Sequence, residues 1–368
     1  MNATFLEPRS IQFGWIDWLQ QELVLSHERK ARTAILACGA VLVVIISMTL
    51  QVPYLAVSAY MVFFFSKENK VVTTIAGLLG VLGVTIAIGI SLLLYKFTYG
   101  HPEFRIPAMA IALFLGMYLS RIFVIGPLGF ALGFVIAVVL SVGESIPSSE
   151  LIVREILWIW VAVVYAVGLT VVLNQLFLPK TTRPSADLPK PKSLFVPDAF
   201  TNPTHSHFAL KVTFAAMFCY IFYSAIDWSG IHTSFITCIF IALESIEATM
   251  HKAALRIVGC LIGGIFSLMS ILFLIPHMQS IASLIVLVAS VAVLAGWVAT
   301  GGERIAYAGL QIAFAFFLSM FQGFAPDTDL DKIRDRVVGI ILGIAVTGLV
   351  FHYVWPERAT TAEARKIA

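Results

Sequence analysis

Apolar runs of about 20 residues recur along the whole chain, and they restrict its possible folds more than any other feature. Such a run matches the roughly 30 Å hydrocarbon core of a bilayer. Within lipid every backbone amide must be satisfied inside the segment, which leaves α-helices or a closed barrel. The runs are continuous rather than alternating, and the chain is 59% hydrophobic and 12% charged. The sequence therefore predicts an all-α polytopic membrane protein.

About twelve apolar segments are long enough to be considered as membrane spans, in two equal sets on either side of the middle of the chain. Basic residues cluster at alternate ends of these segments, which predicts that both termini and the central linker are cytoplasmic. The predicted spans are residues 33–52, 53–65, 71–94, 106–120, 127–142, 156–178, 209–226, 231–243, 253–275, 281–299, 305–321 and 337–355.

The middle of the chain is a polar stretch with repeated prolines, residues 179–208. Proline lacks the amide hydrogen and crowds the preceding turn, so this stretch is not one helix. We interpret it as a cytoplasmic linker between two six-helix membrane repeats, residues 33–178 and 209–356. Residues 357–368 form a cytoplasmic tail.

The N-terminal segment, residues 1–32, is predicted to be cytoplasmic and amphipathic. Within it, residues 11–25 place Trp15 and Trp18 on one face of a helix with polar residues largely opposite. This helix lies either on the membrane surface or against the cytoplasmic face of the protein itself.

Short matches between the two halves indicate an internal repeat. Lys70 and Gly77 are spaced like Lys252 and Gly259, and the pair Arg154–Glu155 resembles Arg334–Asp335. Six spans per half return the chain to the cytoplasm, so the two copies run in the same direction. They are expected to be related by a pseudo-twofold axis along the membrane normal.

The second and eighth segments, residues 53–65 and 231–243, are shorter than the bilayer core is thick. Short segments at corresponding positions of two halves indicate a transport site. The alternative, which we favour, is that both continue as ordinary helix into the polar residues that follow. Either way, polar helix lies at the cytoplasmic mouth of both halves.

Ionisable residues at this mouth are the candidates for a substrate and proton pathway, because charge at membrane depth is costly and usually functional. Glu244 is the best candidate proton carrier, and His251 is a second candidate for proton exchange. The basic side chains would attract an anion. The alternative is a set of solvated loop charges and positive-inside anchors. The candidates are Glu244, His251, Lys252, Arg256, Lys70, Arg121 and, within a later span, Gln311, whose amide lines the path or joins two helices.

An outer loop before the last span carries both signs of charge and is a candidate contact for a partner protein. The alternative is that its charges cap and pair at the start of that span. The residues concerned are Asp329, Arg334, Asp335 and Arg336.

Several functional classes find no support in the sequence. It has no phosphate-binding loop, no nucleophile–base arrangement and no metal-ligand spacing among its four cysteines. The net charge of +3 is small and scattered, which does not indicate a nucleic-acid partner. We therefore predict no enzyme, no cofactor and no metal, and expect a transporter to use an ion or proton gradient.

Four stretches of the second half carry a resemblance to a known family: residues 303–311 (ERIAYAGLQ), 314–316 (FAF), 322–330 (QGFAPDTDL) and 334–340 (RDRVVGI). They resemble the fusaric acid resistance, or aromatic acid exporter, family of bacterial inner-membrane efflux proteins. The first half agrees more loosely, through residues 154–158 and 174–179. Larger family members have a substantial cytoplasmic domain where this chain has only the linker.

The resemblance implies export of aromatic acids, related weak acids or drugs, driven by protons. It also implies a periplasmic adaptor and an outer-membrane channel as partners, and a homodimer. The leading hypothesis is thus a proton-coupled exporter of small organic anions in the lipid bilayer. A passive organic-anion channel and a non-transporting scaffold for an adaptor are the alternatives.

Overall fold

In the computed structural model, residues 24, 26–144, 146, 148–179, 193–243 and 245–355 are described. Each apolar segment predicted from the sequence is an α-helix there. The helices are α1 His27–Thr49, α2 Leu55–Phe65, α3 Lys70–Thr98, α4 Pro102–Ile122, α5 Gly126–Ser141, α6 Ser149–Phe177, α7 Pro203–Ala225, α8 Thr233–Ile241, α9 Ile246–Met269, α10 Ile281–Ala299, α11 Glu303–Met320 and α12 Asp331–Tyr353. The predicted N-terminal helix, linker residues 180–192 and the tail lie outside the described residues.

Eight of these helices are long and apolar enough to cross a membrane. The shorter apolar helices are α2, α5, α8 together with the 3₁₀ turn Ser229–His232, and α11. The chain is therefore an all-α polytopic membrane protein, while crossing by all twelve helices stays a prediction.

The favoured expectation that the second and eighth segments continue as ordinary helix is wrong. Helix α2 has 11 residues and ends where Ser66 turns to an extended backbone. Helix α8 has 9 residues and ends in the same way at Ala242. After each break a new helix begins, because the side chains of Asn69 and Ser245 accept hydrogen bonds from the first backbone amides of α3 and α9.

The two breaks are built alike. The Thr73 hydroxyl bridges the amide and carbonyl of Lys67, and the Thr249 hydroxyl bridges those of Leu243 in the same way. These matching bonds favour the predicted repeat, but they pair Asn69 with Ser245. The register that pairs Lys70 with Lys252 is therefore wrong.

Several helices begin earlier in the chain than predicted, because polar residues form their first turns. Helix α6 begins at Ser149, because the Ser148 hydroxyl accepts a hydrogen bond from the Leu151 amide. Helix α12 begins at Asp331, whose carboxylate lies in the first turn, where the helix dipole favours negative charge. Helix α7 begins at Pro203, inside the predicted linker, since proline is tolerated in a first turn.

Glycines allow the helix backbones to approach closely. A side chain at Gly309 would overlap the backbone of Ala299, where α11 crosses α10, and Gly116 packs on Gly133 between α4 and α5. The two halves meet where α1 packs on α10, α4 on α7 and α2 on α11. A two-stranded hairpin, β1 Phe321–Gln322 and β2 Ala325–Pro326, follows α11, and its Gly323 carbonyl accepts a hydrogen bond from Leu55 at the start of α2.

Substituting Gly309→Ala is expected to destabilise the protein by about 1–3 kcal/mol, because the methyl group overpacks a backbone contact. The matched control is Gly89→Ala in α3, where a side chain meets nothing within 4 Å and alanine favours the helix. Thermal unfolding of the detergent-solubilised proteins measures the difference. A Gly309→Ala variant that melts at or above the wild-type temperature would contradict this packing.

Candidate functional site

Arg256 is a charged side chain buried within the helix bundle. It lies on α9 and is 1% exposed. Its Nε donates to the Thr237 hydroxyl at 3.2 Å, and its Nη1 donates to Gln311 Oε1 at 2.8 Å and to the Tyr307 hydroxyl at 3.4 Å. Helices α8, α9 and α11 therefore meet at one guanidinium group.

A second buried arginine, Arg336, faces the same region from α12. Its guanidinium carbon lies 5.0 Å from the centre of the Phe314 ring, and that of Arg256 lies 5.7 Å from the same ring. One half-buried aromatic ring on α11 thus contacts two cations. We call Arg256, Arg336, Gln311, Tyr307 and Phe314 the arginine cluster.

Several hydrogen-bond donors of the arginine cluster have no acceptor. Arg256 Nη2, Arg336 Nε and Nη1, and Gln311 Nε2 are buried without a hydrogen-bond partner. Within the described ranges no carboxylate lies within 4.0 Å of either arginine. Buried charge is unfavourable unless it is paired, and a guanidinium fork matches a carboxylate. The arrangement is suited to binding an anion.

Aromatic side chains from both halves surround this position. The Tyr60 ring of α2 meets Phe314 edge-on at 4.6 Å. The Phe240 ring of α8 lies 5.7 Å from the Arg256 guanidinium and contacts Phe130 and Phe134 of α5 at 5.7 and 4.9 Å. Such surfaces favour a planar or aromatic ligand.

The predicted pathway residues divide into two groups. Arg256 and Gln311 are brought together, and the Lys252 ammonium, one helical turn before Arg256, lies 5.1 Å above the Tyr307 ring. His251 is exposed, with Nε2 3.3 Å from the Arg304 carbonyl oxygen. Glu244 lies outside the described residues.

Lys70 and Arg121 do not join the arginine cluster. Lys70 donates to the Gln175 carbonyl at 2.6 Å, between α3 and α6. Arg121 lies 5.3 Å above the Phe208 ring, between α4 and α7. Both interactions join neighbouring helices.

The predicted outer-loop residues also divide. Arg334 donates two hydrogen bonds to Asp335, at 2.9 and 2.8 Å, and pairs with Asp331 at 3.0 Å. Asp329 lies 3.6 Å from Lys332. Arg336 differs from expectation, because it points into the bundle from the second turn of α12 rather than lying in a loop.

Comparison with known proteins finds a likeness in the second half of the chain. Residues 215–350 match the family model described as fusaric acid resistance protein-like. The likeness to this family covers most of the second half and none of the first. All members of the arginine cluster lie within the matched range. No solved structure gives a significant match.

Two relatives extend this likeness. The multidrug resistance protein MdtO of Shigella flexneri and that of Escherichia coli K12 are each 34% identical to the chain over 186 residues. The match covers 50% of this chain but only 27% of each relative. With the apolar helices, these matches support a multi-pass protein of the bacterial inner membrane.

Substituting Arg336→Gln is expected to stabilise the ligand-free protein by on the order of 1–4 kcal/mol, because it removes a desolvated charge beside a second one. The control is Arg334→Gln on the same helix, which breaks partly exposed ion pairs and is expected to lower stability by at most about 1 kcal/mol. Thermal unfolding without ligand compares the two. A lower melting temperature for Arg336→Gln than for the control would show that the charge is compensated.

Proposed function

We propose that the protein is an inner-membrane efflux transporter of small organic anions. The observation that carries the proposal is the arginine cluster, which has two buried guanidinium groups and unpaired donors inside a membrane bundle. Such charges are rarely retained for stability, since apolar replacements are often at least as stable. A function in binding an anion explains why they are present.

Aromatic acids and related drugs are the proposed substrates. A carboxylate would accept from the free donors of Arg256 and Arg336, while a ring would lie against Phe314 and Tyr60. The relatives' name, multidrug resistance protein, is consistent with export of such compounds.

We propose the following organisation for transport. Residues 33–178 and 209–356 form two parallel six-helix repeats with cytoplasmic termini, and the pathway follows the seam between them. The cytoplasmic end at Lys252 attracts the anion electrostatically. A proton gradient drives export, and a periplasmic adaptor, an outer-membrane channel and a second copy of the chain are the proposed partners in the assembly.

Transport is tested in proteoliposomes with labelled aromatic acids, with and without an imposed pH gradient. Arg256→Gln is expected to reduce uptake at least about tenfold, because losing one partner of a buried charge interaction costs about 2–5 kcal/mol. Arg336→Gln, which is expected to fold stably, should do the same.

The matched control is Lys70→Gln, which removes a positive charge outside the arginine cluster and should retain most of the uptake. If both arginine variants insert normally and transport like the wild type, the arginine cluster is not the substrate site.

A passive organic-anion channel is the second candidate, and one observation favours it: the described surroundings of the arginine cluster contain no carboxylate to titrate within 4.0 Å of either arginine. The same vesicles separate the two functions. Accumulation above equilibrium only with a pH gradient supports the transporter, whereas gradient-independent flux that carries current supports the channel.

A further inference from the structure

Glu155 is a half-buried carboxylate at the start of α6, at the end of the bundle that the predicted orientation assigns to the outside. Its Oε2 accepts a hydrogen bond of 2.7 Å from the Tyr54 hydroxyl. In the part of the chain that the structure describes, no basic nitrogen lies within 4.0 Å of it. Among the described residues, Glu155 therefore has a hydrogen bond from a phenol and no ion pair.

A small cavity borders Glu155. Its volume is about 10 Å³, and it is lined by Tyr95, Gly143 and several aliphatic side chains. The Tyr54 hydroxyl donates the hydrogen bond, and the Glu155 carboxylate accepts it.

The ionisable groups around Glu155 can be assigned element by element. Tyr54 faces it from the start of α2 and Tyr95 from α3, where the Tyr95 hydroxyl donates to the Val139 carbonyl at 2.8 Å. The 3₁₀ turn Val142–Glu144 borders the cavity, and Lys96 and Tyr99 line an adjoining groove with Ser149. Helix α1 carries no ionisable residue in its last turn, and on α6 itself Glu150 and Arg154 are exposed.

The corresponding position of the second half shows the contrast. Asp335 lies near the start of α12, as Glu155 does in α6, but it accepts two hydrogen bonds from Arg334. Opposite it stands Gly230, where a side chain would overlap the Asp335 carboxylate. Arg334 thus compensates the negative charge of Asp335, whereas the hydrogen bond that Glu155 accepts comes from the neutral Tyr54 hydroxyl.

A series of contacts joins Glu155 to the arginine cluster. Tyr54 is the residue immediately before α2, and it adopts a left-handed backbone with φ 63° and ψ 32°. Tyr60, on the same short helix, touches Phe314 at 4.6 Å, and Phe314 contacts both guanidinium groups. A change at the Tyr54–Glu155 hydrogen bond therefore acts on the helix that packs against the anion position.

We propose that Glu155 binds the proton that is exchanged for the organic anion, an inference that rests on the proposed function. The Glu155 carboxylate takes one proton from the outer side and becomes a neutral acid. Its hydrogen bond from Tyr54 weakens, and the start of α2 is released. The same proton later leaves to the cytoplasmic side, which restores the carboxylate.

The test compares wild-type protein with Glu155→Gln, which resembles the protonated state, in proteoliposomes loaded with a labelled aromatic acid. Wild-type flux is expected to rise at least about tenfold with an imposed pH gradient. Glu155→Gln should exchange the anion across the membrane without responding to the gradient. The control is Glu150→Gln, an exposed carboxylate on the same helix, which should respond like the wild type.

Tyr54→Phe provides a second measurement that keeps the carboxylate. The variant removes the hydrogen bond that the carboxylate accepts, so the pH at half-maximal flux should rise. Gradient-responsive flux in Glu155→Gln, or an unshifted midpoint in Tyr54→Phe, would overturn the role of Glu155 alone. Wild-type flux without gradient dependence would overturn proton exchange, and a wild-type protein without organic-anion flux would overturn the proposed function itself.

Discussion

The close approach of α9 and α11 at Gly259 and Gly263 is the contact on which the arginine cluster depends. A side chain at Gly259 would strike the Ala308 carbonyl, and one at Gly263 would strike the Ile312 carbonyl. The hydrophobic effect does little to hold helices together within lipid. Van der Waals contact between closely packed backbones therefore supplies much of the attraction between helices. This contact sets Arg256 beside Gln311, and a buried guanidinium without that partner would be far less tolerable.

Hydropathy and length predicted the helices well, because in lipid an apolar run has almost no alternative to a helix. These criteria gave the wrong start for a helix whose first turns are charged. The apolar run of the last predicted span starts at Val337, whereas α12 starts at Asp331 and includes Arg336, which is buried. Arg256 and Gln311 were identified singly, but their contact depends on a helix crossing that spacing does not encode. Tyr60 and Phe240 were missed, since 28 phenylalanines and 10 tyrosines give no signal for the few that face a cation.

The turns that follow α2 and α8 are built alike, but the charged and aromatic residues near them differ. In the register of the matched turns, Arg256 corresponds to Gly80, where a side chain would overlap the Phe65 ring. A cation therefore does not fit at that position. The first half instead contributes Tyr60 to the surroundings of the arginine cluster, and it carries Glu155, which accepts a hydrogen bond from Tyr54. For the proposed transporter with two proposed repeats, this difference favours one anion position between the halves over one in each half.

The donors without acceptors in the arginine cluster also bear on ligand selection by the proposed transporter. Without an anion, the Phe314 ring gives both guanidinium groups partial compensation through cation–π attraction, but it leaves the N–H donors unfilled. A carboxylate fills those donors, and an attached ring also gains the aromatic surface. A neutral ring leaves the charges uncompensated, and a small hydrated anion gives up more water than the arginine cluster replaces. Selectivity then follows from unsatisfied groups that are fixed before the ligand arrives, as preorganisation requires.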